Sequence, residues 1–228
     1  SGSGTSVSII CDDCSQTSIP IGFTFNYCGS SYTNLAACSN GFISLANSSS
    51  PPYVNSTASL GGISSGVGVL MPYWDDLEGF SSIPSFAYYT TTGTAPSRVF
   101  TMEWYNFGTW SGTSSCPSCP ANFQVKLYES TNIIDFCYGS STYSGRTATI
   151  GIANSSSDWQ TLPDQGTSPT PSSTTFYSST ITTSPADGQV YRWSNQCSGT
   201  PSPGIVLATV PSGCSTFTSV LSLSGGPF

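Results

Sequence analysis

Ser97-Arg-Val-Phe-Thr-Met-Glu-Trp-Tyr105 and Ala121-Asn-Phe-Gln-Val-Lys-Leu-Tyr128 decide the fold. In the first stretch Val99, Thr101 and Glu103 alternate with Phe100, Met102 and Trp104. In the second, Phe123, Val125 and Leu127 alternate with Gln124, Lys126 and Tyr128. A period of two sends successive side chains to opposite faces, so each stretch reads as a strand. The same period recurs around Ile21, Phe23 and Phe25, around Ile134 and Phe136, at Ile150 and Ile152, and at Val190 to Trp193. No stretch carries a helical period. Asn40-Gly41, Gly61-Gly62, Thr92-Gly93, Ser144-Gly145 and Asp187-Gly188 read as turns between strands, and Glu129 to Asn132 as a hairpin loop. Many short strands at this spacing favour an all-β fold, an antiparallel β-sandwich of jelly-roll type over the alternative of a barrel.

Composition bounds what such a sandwich does. Charged residues make up 7% of the 228 residues and aromatics 13%, with a net charge of −7. Hydroxyl and amide side chains therefore carry solubility, while the aromatic content is ample for a core. The four cations, Arg98, Lys126, Arg146 and Arg192, are scattered, which argues against a nucleic-acid partner. No apolar run reaches the ~18 residues of a membrane span. No signal peptide is present, so the chain reads as a mature one or as one produced without its leader.

Nine cysteines and no histidine point to an oxidising compartment. Cys11-x-x-Cys14 and Cys116-x-x-Cys119 have the form of a four-thiolate zinc site, but the long gap between them favours local disulfides. The disulfide candidates are Cys11 with Cys14, Cys28 with Cys38, Cys116 with Cys119 and Cys197 with Cys214, leaving Cys137 unpaired. Connectivity does not follow from sequence, so each pairing is a guess.

Several phrases resemble a known module. They are Ile21-Gly-Phe-Thr-Phe-Asn26, Ser39-Asn-Gly-Phe-Ile43, Met71-Pro-Tyr-Trp-Asp-Asp-Leu77, Thr94-Ala-Pro-Ser-Arg-Val-Phe100 and Asn122-Phe-Gln-Val-Lys-Leu-Tyr-Glu129. Residues 18–193 are similar to a nidogen-like β-sandwich of surface and adhesin proteins that Bacteroidota export by the type IX route. The resemblance implies extracellular display, adhesion or scaffolding, and no enzyme activity in this module. Cys197-Ser-Gly-Thr-Pro-Ser-Pro-Gly204, with Cys214 and the run from Phe217 to Leu223, looks like the opening of an Ig-like repeat cut short after about two strands. The expected organisation is an N-terminal extension over 1–17, a sandwich over 18–194, and a linker with two strand-like segments over 195–228.

The chemistry-bearing clusters are few. Trp74-Asp75-Asp76-Leu77-Glu78 is the densest acidic group, and Asp75, Asp76 and Glu78 are weak calcium candidates, the rival reading being a turn fixed by carboxylate-to-amide bonds. A glycosidase pair drawn from these residues and Glu103 lacks any supporting motif. A Ser-His-Asp triad and a Cys-His pair are excluded by the absence of histidine. Lys126, the lysine that Ser-Lys chemistry would need, alternates as a solvated strand residue. Trp104, Tyr105 and Trp110 are weak candidates for a sugar-binding face, the rival reading being core. Three Asn-x-Ser/Thr acceptors, at Asn47, Asn55 and Asn154, are chance matches in a Ser-rich chain if the source is bacterial. No cofactor is expected.

Both ends of the chain alternate. Val7 and Ile9 share one face near the start, and Phe217, Leu221 and Leu223 share one near the end. Strands on Gly/Ser/Pro-rich tethers suit addition to a neighbouring subunit's sheet. The sequence therefore predicts an extracellular structural protein, a fibre subunit joined head to tail into a homopolymer. The alternative is an adhesin or carbohydrate-binding module, with glycans or other surface proteins as partners.

Overall fold

A computed structural model describes residues 4–80, 84–110, 120–142, 144–194 and 206–209. Cys116, Cys119, Cys197, Cys214, Phe217, Leu221 and Leu223 lie outside the described residues. One sheet contains β1 (Thr5–Ser6), β6 (Leu77–Gly79), β7 (Phe86–Thr92), β8 (Val99–Thr109), β9 (Ala121–Tyr128), β10 (Ile134–Tyr138), β14 (Val190–Trp193) and β15 (Val206–Thr209). The other contains β2 (Ser15–Tyr27), β3 (Ser30–Cys38), β4 (Phe42–Ser44), β5 (Val69–Trp74), β11 (Ser144–Ser155), β12 (Asp158–Thr161) and β13 (Ile181–Thr183). The first runs β1-β7-β8-β9-β10-β14-β15, with β6 also on β8; the second runs β12-β11-β5-β4-β3-β2, with β13 also on β11. The strand pairs are antiparallel.

The sandwich follows from the alternation. Phe100, Met102 and Trp104 of β8 and Phe123, Val125 and Leu127 of β9 all enter the core between the sheets. They meet Ile21, Phe23 and Phe25 of β2, and Ile150 and Ile152 of β11. The outer face of the second sheet is not left to water. Cys38, Phe42, Val69, Met71, Trp74 and Ala153 form a second apolar cluster, closed by Leu60 of a short helix α1 (Thr57–Gly62) and by the edge-to-face pair Trp159–Phe176. Phe176 thus anchors the Ser/Thr/Pro-rich connection between β12 and β13.

Two turn expectations are corrected. Gly61-Gly62 closes α1, which the Ser56 side chain caps by accepting the Ser59 N–H; six residues are too few to reveal a helical period. Ser144-Gly145 opens β11 instead of turning. At Asn40-Gly41 the turn holds: Gly41 has φ +74, and a β-carbon there would come within 2.2 Å of the Tyr73 carbonyl oxygen.

The N-terminal expectation is also corrected. Val7 and Ile9 are fully buried in this chain's own core, and Val7 N–H donates to Ala87 O at 2.8 Å. β1 completes the first sheet by pairing with β7. In this chain Val7 and Ile9 are core residues of their own sandwich, and the strand they follow is paired.

Candidate functional site: an acidic pole and a sheet edge

Cys11 and Cys14 form a disulfide. The loop it closes contains Asp12 and Asp13, and one ligand oxygen from each lies within 4.8 Å of the others in the trio Asp12, Asp13 and Asp76. Buried Asn40 joins the two segments. Its Nδ2 donates to Asp13 Oδ1 at 2.7 Å, and its Oδ1 accepts the Leu77 N–H at 3.0 Å. Burial, helped by the Asp13 and Glu78 charges, raises the Asp12 pKa. The trio offers the hard oxygens that calcium takes. Of the calcium candidates, Asp76 joins it. Asp75 instead accepts the Asp76 N–H at 2.8 Å, the turn-fixing role set against calcium, while Glu78 acts on Asp12 through its charge. Sequence reading passed over Asp12 and Asp13, although two carboxylates inside a four-residue cysteine loop were a visible signal.

The sugar-face candidates separate. Trp104 is a core residue: it is fully buried, stacks on Phe123 at 5.0 Å, and donates Nε1–H to Cys38 O at 2.9 Å. Tyr105 lies on the opposite side of β8 and stacks on Phe86 at 6.0 Å, and Phe86 stacks on Tyr88 at 5.8 Å. Trp110 is exposed past the end of β8, where its N–H donates to Asp76 O beside the acidic trio. Glu103 holds Gln124 Nε2 at 3.1 Å on the outer face of the sheet, and burial raises its pKa.

The guess Cys28–Cys38 is overturned by strand register. In the β2–β3 hairpin Tyr27 faces Ser30 and Ser15 faces Cys38. Cys28 is in the turn and Cys38 at the far end, roughly 25 Å away at 3.3 Å per residue. Cys38 and Cys137 are buried thiols, and burial pushes each up to about 12.

The sheet edges differ in how they are finished. β2 is tied to its surroundings: Ile21 O accepts the Thr91 hydroxyl, Gly22 O accepts Arg98 Nη1, and Asn26 N–H donates to Asn132 Oδ1. Arg98 is held there by a bidentate pair with Glu129. β12 continues into a bridge between Thr161 and Ser172, and β1 is two residues long. A long edge tied by side chains, an edge continued into a bridge and an edge two residues long each discourage further pairing. β14 is different. β15 pairs with it, placing Trp193 opposite Val206 and Val190 opposite Thr209.

The sequence profile of a family described as NIDO related matches residues 2–195. The chain belongs to the NIDO-related family. No curated protein and no solved structure matches it. The NIDO-related match supports reading the chain as an extracellular module. It ends two residues past β14, so β15 comes from beyond the NIDO-related region. Among the described residues no helix is long and apolar enough to cross a membrane.

Proposed function

We propose that this NIDO-related chain is a non-catalytic extracellular structural module whose copies join by β-strand addition. One observation carries the proposal: the β14 edge takes up a strand from outside the family-matched residues. Strand addition uses backbone bonds for affinity and register for specificity. Asp135, Glu129 and Asp75 suit a scaffold, since each bonds within the fold. Display on a bacterial surface, suggested by the sequence phrases, belongs to the same proposal. Negative-stain microscopy of the full chain at high concentration tests it. Linear particles are expected, and a field of single globules at every concentration refutes it.

Adhesion is a second reading, favoured by the stacked rings of exposed Phe86 and half-buried Tyr88 and Tyr105. A glycan array run with Tyr105→Ala beside the unaltered chain tests it, and equal or absent binding by both counts against it.

A further inference from the structure

β14 is built like an interior strand. All four of its residues are buried, as are all five of β10. Tyr191 and Trp193 enter the core. Val190 and Arg192 point the other way, with Asp135 and Cys137 of β10, yet none of these four is more than 6% exposed. Cys137 and Val190 belong to neither apolar cluster. The contrast is β2, where Ile19, Ile21, Phe23, Phe25 and Tyr27 are buried and the residues between them are exposed. A strand buried on both faces, with one backbone edge unpaired, needs a neighbour.

β15 is that neighbour. Trp193 faces Val206, and residues 194–205 lie between them in the sequence. That is about a dozen residues where a hairpin needs two to five. Fully extended, the connection reaches about 40 Å. A compact domain of this length is ~45 Å wide, so the strand can reach a β14 edge on the near side of an adjoining copy but not one on its far side.

We infer that β15 is an exchangeable strand: it caps β14 of its own chain when copies are dilute, and β14 of a second copy when they are crowded. This rests on the reading of the chain as an assembling module, and it names that module's acceptor and donor. The same four register pairs form in either arrangement, so concentration sets the choice. A connection of this length gives the chain's own strand an effective concentration in the millimolar range. Exchange takes over as copies approach that density. Each copy then gives one strand and takes one; given to a different copy from the one it takes from, the contact is head-to-tail and propagates.

The test uses the full chain carrying Leu207→benzoylphenylalanine, a photo-crosslinking residue. Copies labelled with ¹⁴N and ¹⁵N are mixed, irradiated at about 10 μM and about 1 mM, and read by mass spectrometry. Cross-links from position 207 to the β14 peptide are expected within one isotope at the lower concentration. Mixed-isotope links are expected to rise several-fold at the higher one. If linear particles form while every link stays within one isotope, exchange is wrong and assembly stands. If position 207 never links to β14, the pairing itself is wrong. If neither particles nor mixed links appear at millimolar chain, the assembly reading fails as well.

Discussion

Replacing Arg192 with methionine removes the charge that balances Asp135 directly beneath the β14 edge. In the native chain Arg192 Nε and Nη2 donate to Asp135 Oδ1 and Oδ2, each at 2.7 Å. The two side chains are 8% and 0% exposed. The Tyr128 hydroxyl adds a third bond to Asp135 at 2.8 Å, and its ring lies under the guanidinium at 5.6 Å. Both ions have lost their water, so the pair as a whole contributes little net stability. Removing one partner strands the other charge, at a cost of about 3–5 kcal/mol. With a urea slope of ~2–3 kcal/mol/M, the unfolding midpoint falls by roughly 1–2 M. Tryptophan fluorescence follows the transition, since Trp104 and Trp193 are buried. The double variant Arg192→Met, Asp135→Leu is expected to regain most of the loss, because no charge is left stranded. A single-variant loss under about 1 kcal/mol, or a double variant no better than the single, refutes the reasoning.

Trp104→Ala is expected to cost ~3–5 kcal/mol in the same assay, whereas Tyr105→Ala, one residue on, costs a fraction of that; equal losses would mean that Trp104 is not core. Acid titration separates two carboxylates. Arg98 holds the Glu129 pKa below its ordinary 4.5, so its stabilisation is present above 4.5 and is lost as pH falls through the lower folded value. Arg98→Met should flatten that part of the stability–pH curve. Asp12 is shifted upward from 3.8, so its ionised form is disfavoured in the folded chain and the penalty is relieved as pH falls toward 3.8. Asp12→Asn should be neutral or stabilising at pH 7, and any gain should vanish below that value. Cys38 and Cys137 should resist alkylation at pH 8 until the chain is unfolded, which peptide mapping checks.

Alternation made β8, β9 and β10 legible because each faces a core on one side. The same alternation also bore on the sugar-face residues: Trp104 and Tyr105 are neighbours in a strand and cannot share a face. The acidic trio was harder to see. Asp12 and Asp76 are brought together by sheet topology and by Asn40, which no local pattern encodes. Val7 and Ile9 read as strand-like, but they lie just past β1: Val7 N–H donates to Ala87 O of β7, some eighty residues away, and Ile9 N–H turns back to Val7 O. Sequence supplies a strand's face and not its partner. β14 was legible from the alternation of Val190 and Arg192 with Tyr191 and Trp193, but the burial of both its faces was not, since that depends on what packs over the strand.

Sedimentation velocity of the full chain from micromolar to millimolar concentration tests the central claim most directly. Strand addition between copies predicts a species near 23.8 kDa when dilute, giving way to a growing series of larger multiples as concentration rises. A single 23.8 kDa species across the whole range would contradict it.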